Sequence, residues 1–537
     1  MKNSLVSLLF LGLIACNSFS PSNGKTVFRY NEAAGISSLD PAFARNVENM
    51  WAVSQIYEGL VQLNEALDVV PSLAKSWEID SSGTEYTFYL KNQVYFHTDS
   101  CFGKQGTRAF KAQDVVYSIG RILNPAIASP GRWVFDRLDT TKGINGVEAM
   151  NDTTVVLFLK EAYSPFLSML TMPYASIVPI EAVQHYGNDF SRHPVGTGPY
   201  RFFLWKDQVK LVLHQSETYG HDTMNLKAPD ALAVSFIKDK SAAFLGLLKN
   251  DFDMISGIDG GWKAEMLSGE GELLPGYQDK FYLQKVPYLK TDYLGFQLDM
   301  SVMPASPWNM PKVRRALDFA INKEAIVVYL RSGVGIPANS GFVPPILMTD
   351  SLLPQFTFQP DSAKSLLTQA GYPSGEGLPE LVISTTAAYA DICELIQHQL
   401  TAVGIRVKVD VLPSSNHRQL VASGQLSMFR KSWIADFPNA ANFLELFHHK
   451  NWSPNGPNYT RYTNPVVDSL LNRAYQVSDL TQQKRLLAQV NSIVSSDAPV
   501  IPLFYDEVVR VVSKRVSSLP VNGMNMLMLK HTEMELQ

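Results

Sequence analysis

One carboxylate in the sequence stands where a charge is costly. Asp436 lies in the segment RKSWIADFPNAANF (Arg430–Phe443), among the apolar neighbours Trp433, Ile434 and Phe437. A carboxylate that loses its water without gaining a partner costs several kcal/mol, an appreciable part of the stability of a whole domain. Asp436 is therefore predicted either to be exposed or to meet a positive charge that comes to it.

Other groups that could do chemistry carry weaker signals. The stretch GTGPY (196–200) lacks the trailing Lys-Ser/Thr of a phosphate-binding loop and predicts a tight turn. His448 and His449 are adjacent, so in a helix or a strand they point to different faces and make a poor metal site. We therefore expect two solvated histidines and no metal.

The sequence also lacks a recognisable catalytic motif. It contains no GxSxG, no HExxH and no SxxK with supporting partners. A hydrolase would thus have no nucleophile that we can name. We expect neither an enzyme activity nor a cofactor.

The elements that precede Asp436 form a βαβ pattern. Leu381–Thr385 predicts a strand, apolar residues from Ile392 to Val403 recur at helical spacing, and Ile405–Leu412 predicts a second strand. Gly404, between the helix and the second strand, is predicted to end the helix.

Further strands and helix starts are marked elsewhere in the chain. Glu85–Lys91 alternates apolar and polar residues, and strand-like segments begin at Phe281 and cover 500–512. Asn464, which is followed by a proline, and Thr481 are predicted helix N-caps. The pattern as a whole indicates an α/β protein of several lobes.

The bulk composition excludes some functions. The chain has 537 residues, of which 46% are hydrophobic and 18% are charged, so it can form two or three domains with real cores. Its net charge of −4 offers no basic surplus for phosphates, and nucleic acid is not expected as a partner. Cys101 and Cys393 lie far apart and predict neither a disulfide framework nor a metal site.

The N-terminus resembles an exported lipoprotein. The apolar run Leu5–Ile14 has the length of a signal-peptide core and is too short to span a bilayer. LIAC resembles a bacterial lipobox, so residues 1–15 are predicted to be a signal peptide, Cys16 the lipidated residue and 16–24 a tether. The alternative is an ordinary signal peptide that is cut elsewhere. The lipid anchor predicts an extracytoplasmic location on the cell membrane.

Several blocks of the sequence, taken in order, match the pattern of one known family. They are Ser37–Asn64, Phe110–Pro125, Pro194–Phe202, Pro311–Ile326 and Ser432–Leu444. In these blocks the chain resembles the extracytoplasmic solute-binding proteins of peptide and nickel ABC importers, known as family 5, and the resemblance covers essentially the whole mature chain. Two departures occur: FPNAA follows Asp436 where many members carry an acidic residue and a proline, and 97–110 is longer than the usual turn.

The resemblance implies a two-lobed α/β periplasmic-binding-protein fold of type II, cluster C-like, with an extra subdomain inserted in lobe I. Strands near residues 270 and 500 would join the lobes, and ligand would be engulfed as they close. The implied boundaries are 25–55, 179–272 and 498–537 for the lobe I base, 56–178 for the inserted subdomain, and 273–497 for lobe II.

The resemblance also implies roles for individual residues. Asp436 would pair with the α-ammonium of a peptide, Trp433 would line the cleft, and Arg430 would face the carboxylate of short ligands. The alternative for Arg430 is a surface arginine. The peptide backbone would pair as an added strand with two segments: Arg45, Asn46 and Val47 in lobe I, and Ser432, Trp433 and Ile434 in lobe II.

The function implied is a monomeric receptor that collects peptides and hands them to an ABC importer of two permeases and two ATPases. Within the same fold, the alternatives are a nickel-chelate, haem or oligosaccharide binder. A peptide-sensing lipoprotein and a secreted hydrolase are alternatives of other classes.

Overall fold

The computed structural model describes residues 25–257, 263, 265–304, 306–348, 355–477 and 479–535. The predicted signal peptide, Cys16 and the tether lie outside the described residues.

The strands differ widely in length, and two of them exceed twelve residues. They are β1 (Val27–Asn31), β2 (Val61–Leu63), β3 (Val69–Pro71), β4 (Ala74–Ile79), β5 (Glu85–Leu90), β6 (Val147–Asn151), β7 (Thr154–Phe158), β8 (Tyr200–Lys206), β9 (Lys210–Gln215), β10 (Ala231–Ser235), β11 (Met254–Ser256), β12 (Phe281–Phe296), β13 (Ile336–Pro337), β14 (Leu381–Thr385), β15 (Val407–Val411), β16 (Met428–Ile434), β17 (Val500–Ser513), β18 (Val516–Ser518) and β19 (Glu533–Met534).

The α-helices of the described residues lie between and around these strands. They are α1 (Val47–Ile56), α2 (Ala112–Leu123), α3 (Phe166–Met169), α4 (Ile180–Tyr186), α5 (Lys240–Leu248), α6 (Pro311–Ala320), α7 (Lys323–Ala325), α8 (Pro360–Gln369), α9 (Ala390–Thr401), α10 (Ser414–Ser423), α11 (Ala440–Leu444), α12 (Pro465–Gln476) and α13 (Leu480–Asp497). Within this part of the chain, every helix is too short or too polar to cross a membrane.

One mixed sheet runs through the molecule in the order β15-β14-β16-β12-β17-β11-β1-β10-β9-β8, with β13 also on β17. The long antiparallel strands β12 and β17 are its middle. One half of this pair lies beside β11, through residues 510–512 of β17, and the other half lies beside β16, through residues 290–296 of β12. The register between β12 and β17 shifts between Pro287, which cannot donate a ladder hydrogen bond, and Thr291, and it shifts again between Asp292 and Tyr293. This irregular stretch separates the two halves of the sheet.

A separate sheet of four strands, β4-β5-β7-β6, is formed by residues 74–158. Tyr86, Phe88 and Leu90 alternate along β5 and are buried, as the pattern of that segment predicts. The sheet falls within the predicted subdomain 56–178, whose boundaries remain a prediction.

The βαβ unit is present as predicted. β14 and β15 pair in parallel, and α9 buries Ile392, Ile396 and Leu400 in the core between them and α6. Each such side chain contributes about 1.5–3 kcal/mol through removal from water. Gly404 follows α9 with a φ of +93°, and a Cβ there would lie 2.0 Å from the carbonyl oxygen of Ser374. Glycine is therefore required at that position.

Of the two predicted N-caps, one is confirmed and one is wrong. The Asn464 side chain accepts hydrogen bonds from the amides of Val466 and Val467 at the start of α12. Thr481 lies inside the first turn of α13, because the carboxylate of Asp479 accepts from the Gln482 amide instead and begins the helix at Leu480.

The GTGPY segment packs against the end of α1. A Cβ on Gly196 would lie 2.1 Å from the carbonyl oxygen of Ile56, and one on Gly198 would lie 2.6 Å from the carbonyl carbon of the same residue. These glycines allow two backbones to approach closely, which is a structural role.

Candidate functional site

Asp436 lies in the turn that follows β16, and it is exposed to solvent. Its amide donates to Asn442 Oδ1 at 2.9 Å, and Asn442 Nδ2 approaches its carboxylate at 3.4 Å. Among the described residues, no lysine or arginine forms an ion pair with it, and no basic side chain is a cause of its pKa shift. The carboxylate therefore keeps its charge uncompensated by the protein.

Asn442, at the centre of α11, holds this turn together. It is fully buried, and its Oδ1 also accepts from the indole nitrogen of Trp433 at 3.3 Å. Its Nδ2 donates to Glu445 Oε1 at 2.8 Å. Sequence reasoning missed both Asn442 and Glu445, although their spacing of three residues on a helix downstream of Asp436 places them on one face.

Two carboxylates thus share one amide, and their pKa values differ. Crowding by protein atoms raises the pKa of Asp436 to about 6, against a smaller lowering by Asn442. Burial, and then the charge of Asp436, raise the pKa of Glu445 to about 8. At neutral pH, Asp436 is mainly ionised and Glu445 is mainly protonated, so the pair carries one negative charge.

Arg45, in the N-terminal part of the chain, acts on the same surroundings as Asp436. Burial raises the pKa values of Tyr174 and Tyr459, and on both hydroxyls the charge of Arg45 opposes the charge of Asp436. Tyr174 packs on Gly131, where a Cβ would lie 2.2 Å from its ring. The charges of Arg45 and Asp436 thus act on the same two hydroxyls, although the two residues are several hundred positions apart in the sequence. The roles of both residues in ligand binding stay predictions.

The β16 strand presents an unpaired edge next to Asp436. On one side, Ser432, Trp433 and Ile434 pair with β12. On the other side, β14 pairs only with Met428 and Phe429, and no described strand continues along β16 beyond them. The backbone groups of 431–434 on that side are available to an added strand.

The opposite predicted segment is only partly extended. Arg45, Asn46 and Val47 are all exposed, and Asn46 has extended backbone angles (φ −106°, ψ 155°). Val47 is the first residue of α1, so its backbone is helical. The amides of a first helical turn have no partner within the helix and are also potential donors.

Arg430 is not a surface residue, so that alternative is wrong. Its guanidinium is buried, forms an ion pair with Asp292 and lies over the ring of Tyr389. It is covered because it packs between Asp292 of β12 and Tyr389, which lies shortly after β14. Burial lowers the pKa of Arg430 to about 9, so it remains charged at neutral pH. Its predicted contact with a ligand carboxylate stays a prediction.

The Arg430–Asp292 pair belongs to a chain of alternating charges. Lys290 contacts both Asp292 (3.3 Å) and Asp506 (2.6 Å), and Asp506 also pairs with Arg331. Three cations therefore share two carboxylates. The network has a surplus of one positive charge.

A cavity of about 610 Å³ adjoins this network at the junction of the two halves of the sheet. Lys290, Arg331 and Lys263 line it, and burial lowers the pKa of Lys263 to about 8. Glu32 and Glu48 also line it, and burial together with the charge of Glu48 raises the pKa of Glu32 to about 7. The cavity thus offers both cationic and acidic groups to a bound molecule.

We expected both adjacent histidines to be solvated, and this expectation is wrong for one of them. His449 is exposed, but His448 is buried, because it lies in the loop after α11, against α12. Since the two residues are in neither an α-helix nor a strand, their side chains are not forced to different faces.

Comparisons with known proteins agree with this architecture. The family model described as "Bacterial extracellular solute-binding proteins, family 5 Middle" matches residues 68–455. Heme-binding protein A of Haemophilus influenzae is 27% identical over 94% of both chains. Glutathione-binding protein GsiB of Salmonella choleraesuis is 26% identical over 90% of both chains.

A solved structure shows the same fold. The ABC transporter-associated periplasmic binding protein DppA of Helicobacter pylori, in complex with the peptide STSA, has a TM-score of 0.75 and 26% sequence identity. The likeness covers 96% of this chain and 99% of that one. The two-lobed α/β architecture predicted from the sequence is therefore confirmed.

Proposed function

We propose that this chain, which belongs to the bacterial extracellular solute-binding proteins of family 5, captures peptides with a free amino terminus and delivers them to an ABC permease. The observation that carries the proposal is the exposed, uncompensated carboxylate of Asp436 at the end of the unpaired edge of β16. An ammonium group is the cation that a peptide brings to such a site.

The chemistry of the site suits an α-ammonium. An ammonium–carboxylate pair shielded from water is a strong charge-assisted hydrogen bond, and it fixes the direction of the peptide. Asn442 orients the turn that carries Asp436, and the protonated Glu445 holds Asn442 without adding charge. A ligand without a free amine would leave the carboxylate desolvated and unpaired.

The edge of β16 suits the rest of the peptide. In this proposal, Ser432, Trp433 and Ile434 bind the peptide backbone by strand addition, and Arg45, Asn46 and Val47 bind it from the other lobe. Hydrogen bonds to the peptide backbone do not distinguish one side chain from another, so they favour broad specificity. The peptide carboxylate would face the cationic groups that line the cavity, Lys263 and Arg331, and Arg430 would act on it through the charge network.

Membership of the family implies that the chain is located outside the cytoplasm. The finer proposal is a lipoprotein, cleaved before Cys16 and anchored by lipids on that residue. Its partners would be the two permease and two ATPase subunits of an importer, and it would act as a monomer without enzyme activity.

The experiment is to purify the chain from residue 17 onward and identify co-purified ligands by native mass spectrometry. Mixed short peptides are expected, and acetylation of their amino termini is expected to abolish binding. A non-peptide ligand would overturn the peptide assignment and leave the family assignment intact.

The matched variants are Asp436→Asn and, as a control, Asp279→Asn, which changes an exposed aspartate elsewhere. Asp436→Asn is expected to weaken peptide binding about 100-fold or more, which corresponds to about 3 kcal/mol. Isothermal titration calorimetry with one synthetic peptide measures both. Equal affinities for the two variants would show that Asp436 is not the anchor.

A further inference from the structure

His448, His449 and Asp468 form a compact group of nitrogen and oxygen ligands on the same half of the molecule as Asp436. One ligand atom from each of the three residues lies within 4.8 Å of the others. The two imidazole rings are stacked, with centroids 5.2 Å apart and an interplanar angle of 22°. The rings therefore present their Nδ1 atoms to a common neighbour.

That neighbour is the carboxylate of Asp468, in the first turn of α12. Asp468 Oδ2 lies 2.8 Å from His449 Nδ1, and Asp468 Oδ1 lies 3.6 Å from His448 Nδ1. The His449 amide also donates to Asp468 Oδ1 at 3.0 Å, which fixes the carboxylate. A metal ion with bonds of about 2.0–2.2 Å to nitrogen and oxygen fits between atoms at these separations.

The groups behind the ligands support the same role. His448 Nε2 lies 3.2 Å from Asn472 Oδ1, one helical turn beyond Asp468 on α12. Because an amide oxygen only accepts, the proton of this imidazole sits on Nε2, and the lone pair of Nδ1 is left for a metal. The Lys450 amide now donates to that lone pair at 3.1 Å, a contact that a metal ion would replace.

We propose that His448 Nδ1, His449 Nδ1 and the Asp468 carboxylate bind a divalent transition-metal ion such as Zn²⁺ or Ni²⁺. Imidazole and carboxylate together favour these ions over Ca²⁺ and Mg²⁺, which prefer oxygen ligands. As its bond to the metal forms, His449 gives its Nδ1 proton to solvent and takes a proton from solvent on Nε2, so the ring binds as a neutral ligand. Water completes the coordination. The metal ties the loop after α11 to α12.

This site shares no residue with the peptide anchor and does not rest on the proposed function. The test uses tag-free protein, purified from residue 17 onward and stripped with a chelator. Zn²⁺ and Ni²⁺ are each titrated in competition with a chromophoric chelator. One metal ion per chain is expected to bind, and the melting temperature is expected to rise on its addition.

Two variants locate the site, and one controls for surface histidines. His449→Ala removes an exposed ligand, and Asp468→Asn keeps an acceptor oxygen but loses the charge. Each is expected to weaken metal binding at least tenfold and to abolish the rise in melting temperature. His398→Ala, which changes an exposed histidine of α9, should bind metal like the parent.

The proposal is overturned if the parent binds neither metal ion, or if His449→Ala and His398→Ala bind metal equally well. A folded Asp468→Asn variant that binds metal as tightly as the parent would also overturn it. Asp436→Asn should leave metal binding unchanged, which separates a failure here from a failure of the peptide assignment.

Discussion

Asp292 and Asp436 pose the same problem in the sequence, and the structure solves it in opposite ways. Each stands in an apolar and aromatic segment, LKTDYLGF for Asp292 and SWIADFP for Asp436. Asp292 is fully buried on β12, between the cations of Arg430 and Lys290. Asp436 lies one turn beyond the neighbouring strand, exposed and without a cation.

The difference separates a structural charge from a charge kept for a ligand. The desolvation of Asp292 is offset within the protein, so the pair fixes how β12 and β16 lie together. In the described part of the chain, only the Asn442 amide partly offsets the crowding of Asp436, and the raised pKa of this carboxylate is the sign of the remaining deficit. A site of this kind loses some stability in return for its use in binding.

The largest effect is expected from Asp292→Ala. The change leaves the guanidinium of Arg430 and the ammonium of Lys290 without their shared partner in the interior. We expect the free energy of unfolding to fall by about 3–5 kcal/mol, as measured by urea denaturation.

The control for this change is Asp152→Ala, which removes one partner of the exposed Lys111–Asp152 pair. An exposed pair contributes only about 0–1 kcal/mol. Equal losses in the two variants would contradict a structural role for the buried network.

An intermediate effect is expected from pH. Because the pKa of Asp436 is about 6, the anchor becomes neutral as the pH falls from 7 to 5, while a peptide ammonium stays charged. We expect the dissociation constant of a peptide to rise about tenfold over this range, measured by calorimetry at constant ionic strength.

Two variants sharpen this measurement. Asp436→Asn should remove the pH dependence, whereas Asp279→Asn, which changes an exposed aspartate outside the site, should keep it. The raised pKa of Asp436 also stabilises the folded protein at pH values below 3.8, the ordinary pKa of this carboxyl. This stabilisation is lost as the pH rises through 6. The free energy of unfolding of ligand-free Asp436→Asn, relative to that of the parent, should therefore increase as the pH rises from 4 to 7.

Much of the architecture could be predicted from the sequence because periodicity and turn residues are local signals. The strand at Leu381–Thr385, the α9 face and the stop at Gly404 all follow from spacing within about a dozen residues. The wrong N-cap at Thr481 also comes from the use of local signals. Asp479 and Thr481 are both favourable N-cap residues, and the local sequence does not show which of them begins the helix.

The environment of the site could not be predicted in the same way. Whether Arg430 is exposed depends on β12, which lies more than 130 residues earlier in the chain and contributes Asp292. The burial of His448 likewise depends on its packing against α12. Contacts between residues so far apart in the chain produce no periodic pattern in the sequence.

The smallest effect is expected from Glu445→Gln, which tests whether the anchor holds one negative charge or two. Since the pKa of Glu445 is about 8, the parent carries a neutral acid there at pH 7, and glutamine keeps the oxygen that accepts from Asn442 Nδ2. The dissociation constants of variant and parent should therefore agree within about twofold at pH 7.

At pH 9, Glu445 of the parent is ionised and adds a second negative charge beside the bound ammonium. The ratio of the variant's dissociation constant to that of the parent should then rise by about two- to fivefold. Titration of the peptide's own amine cancels in this ratio because both proteins meet the same ligand at each pH. If Glu445→Gln already weakens binding more than tenfold at pH 7, Glu445 is ionised in the native protein. The contrast with Asp292 would then change, because the ligand-free site would contain two uncompensated carboxylates rather than one.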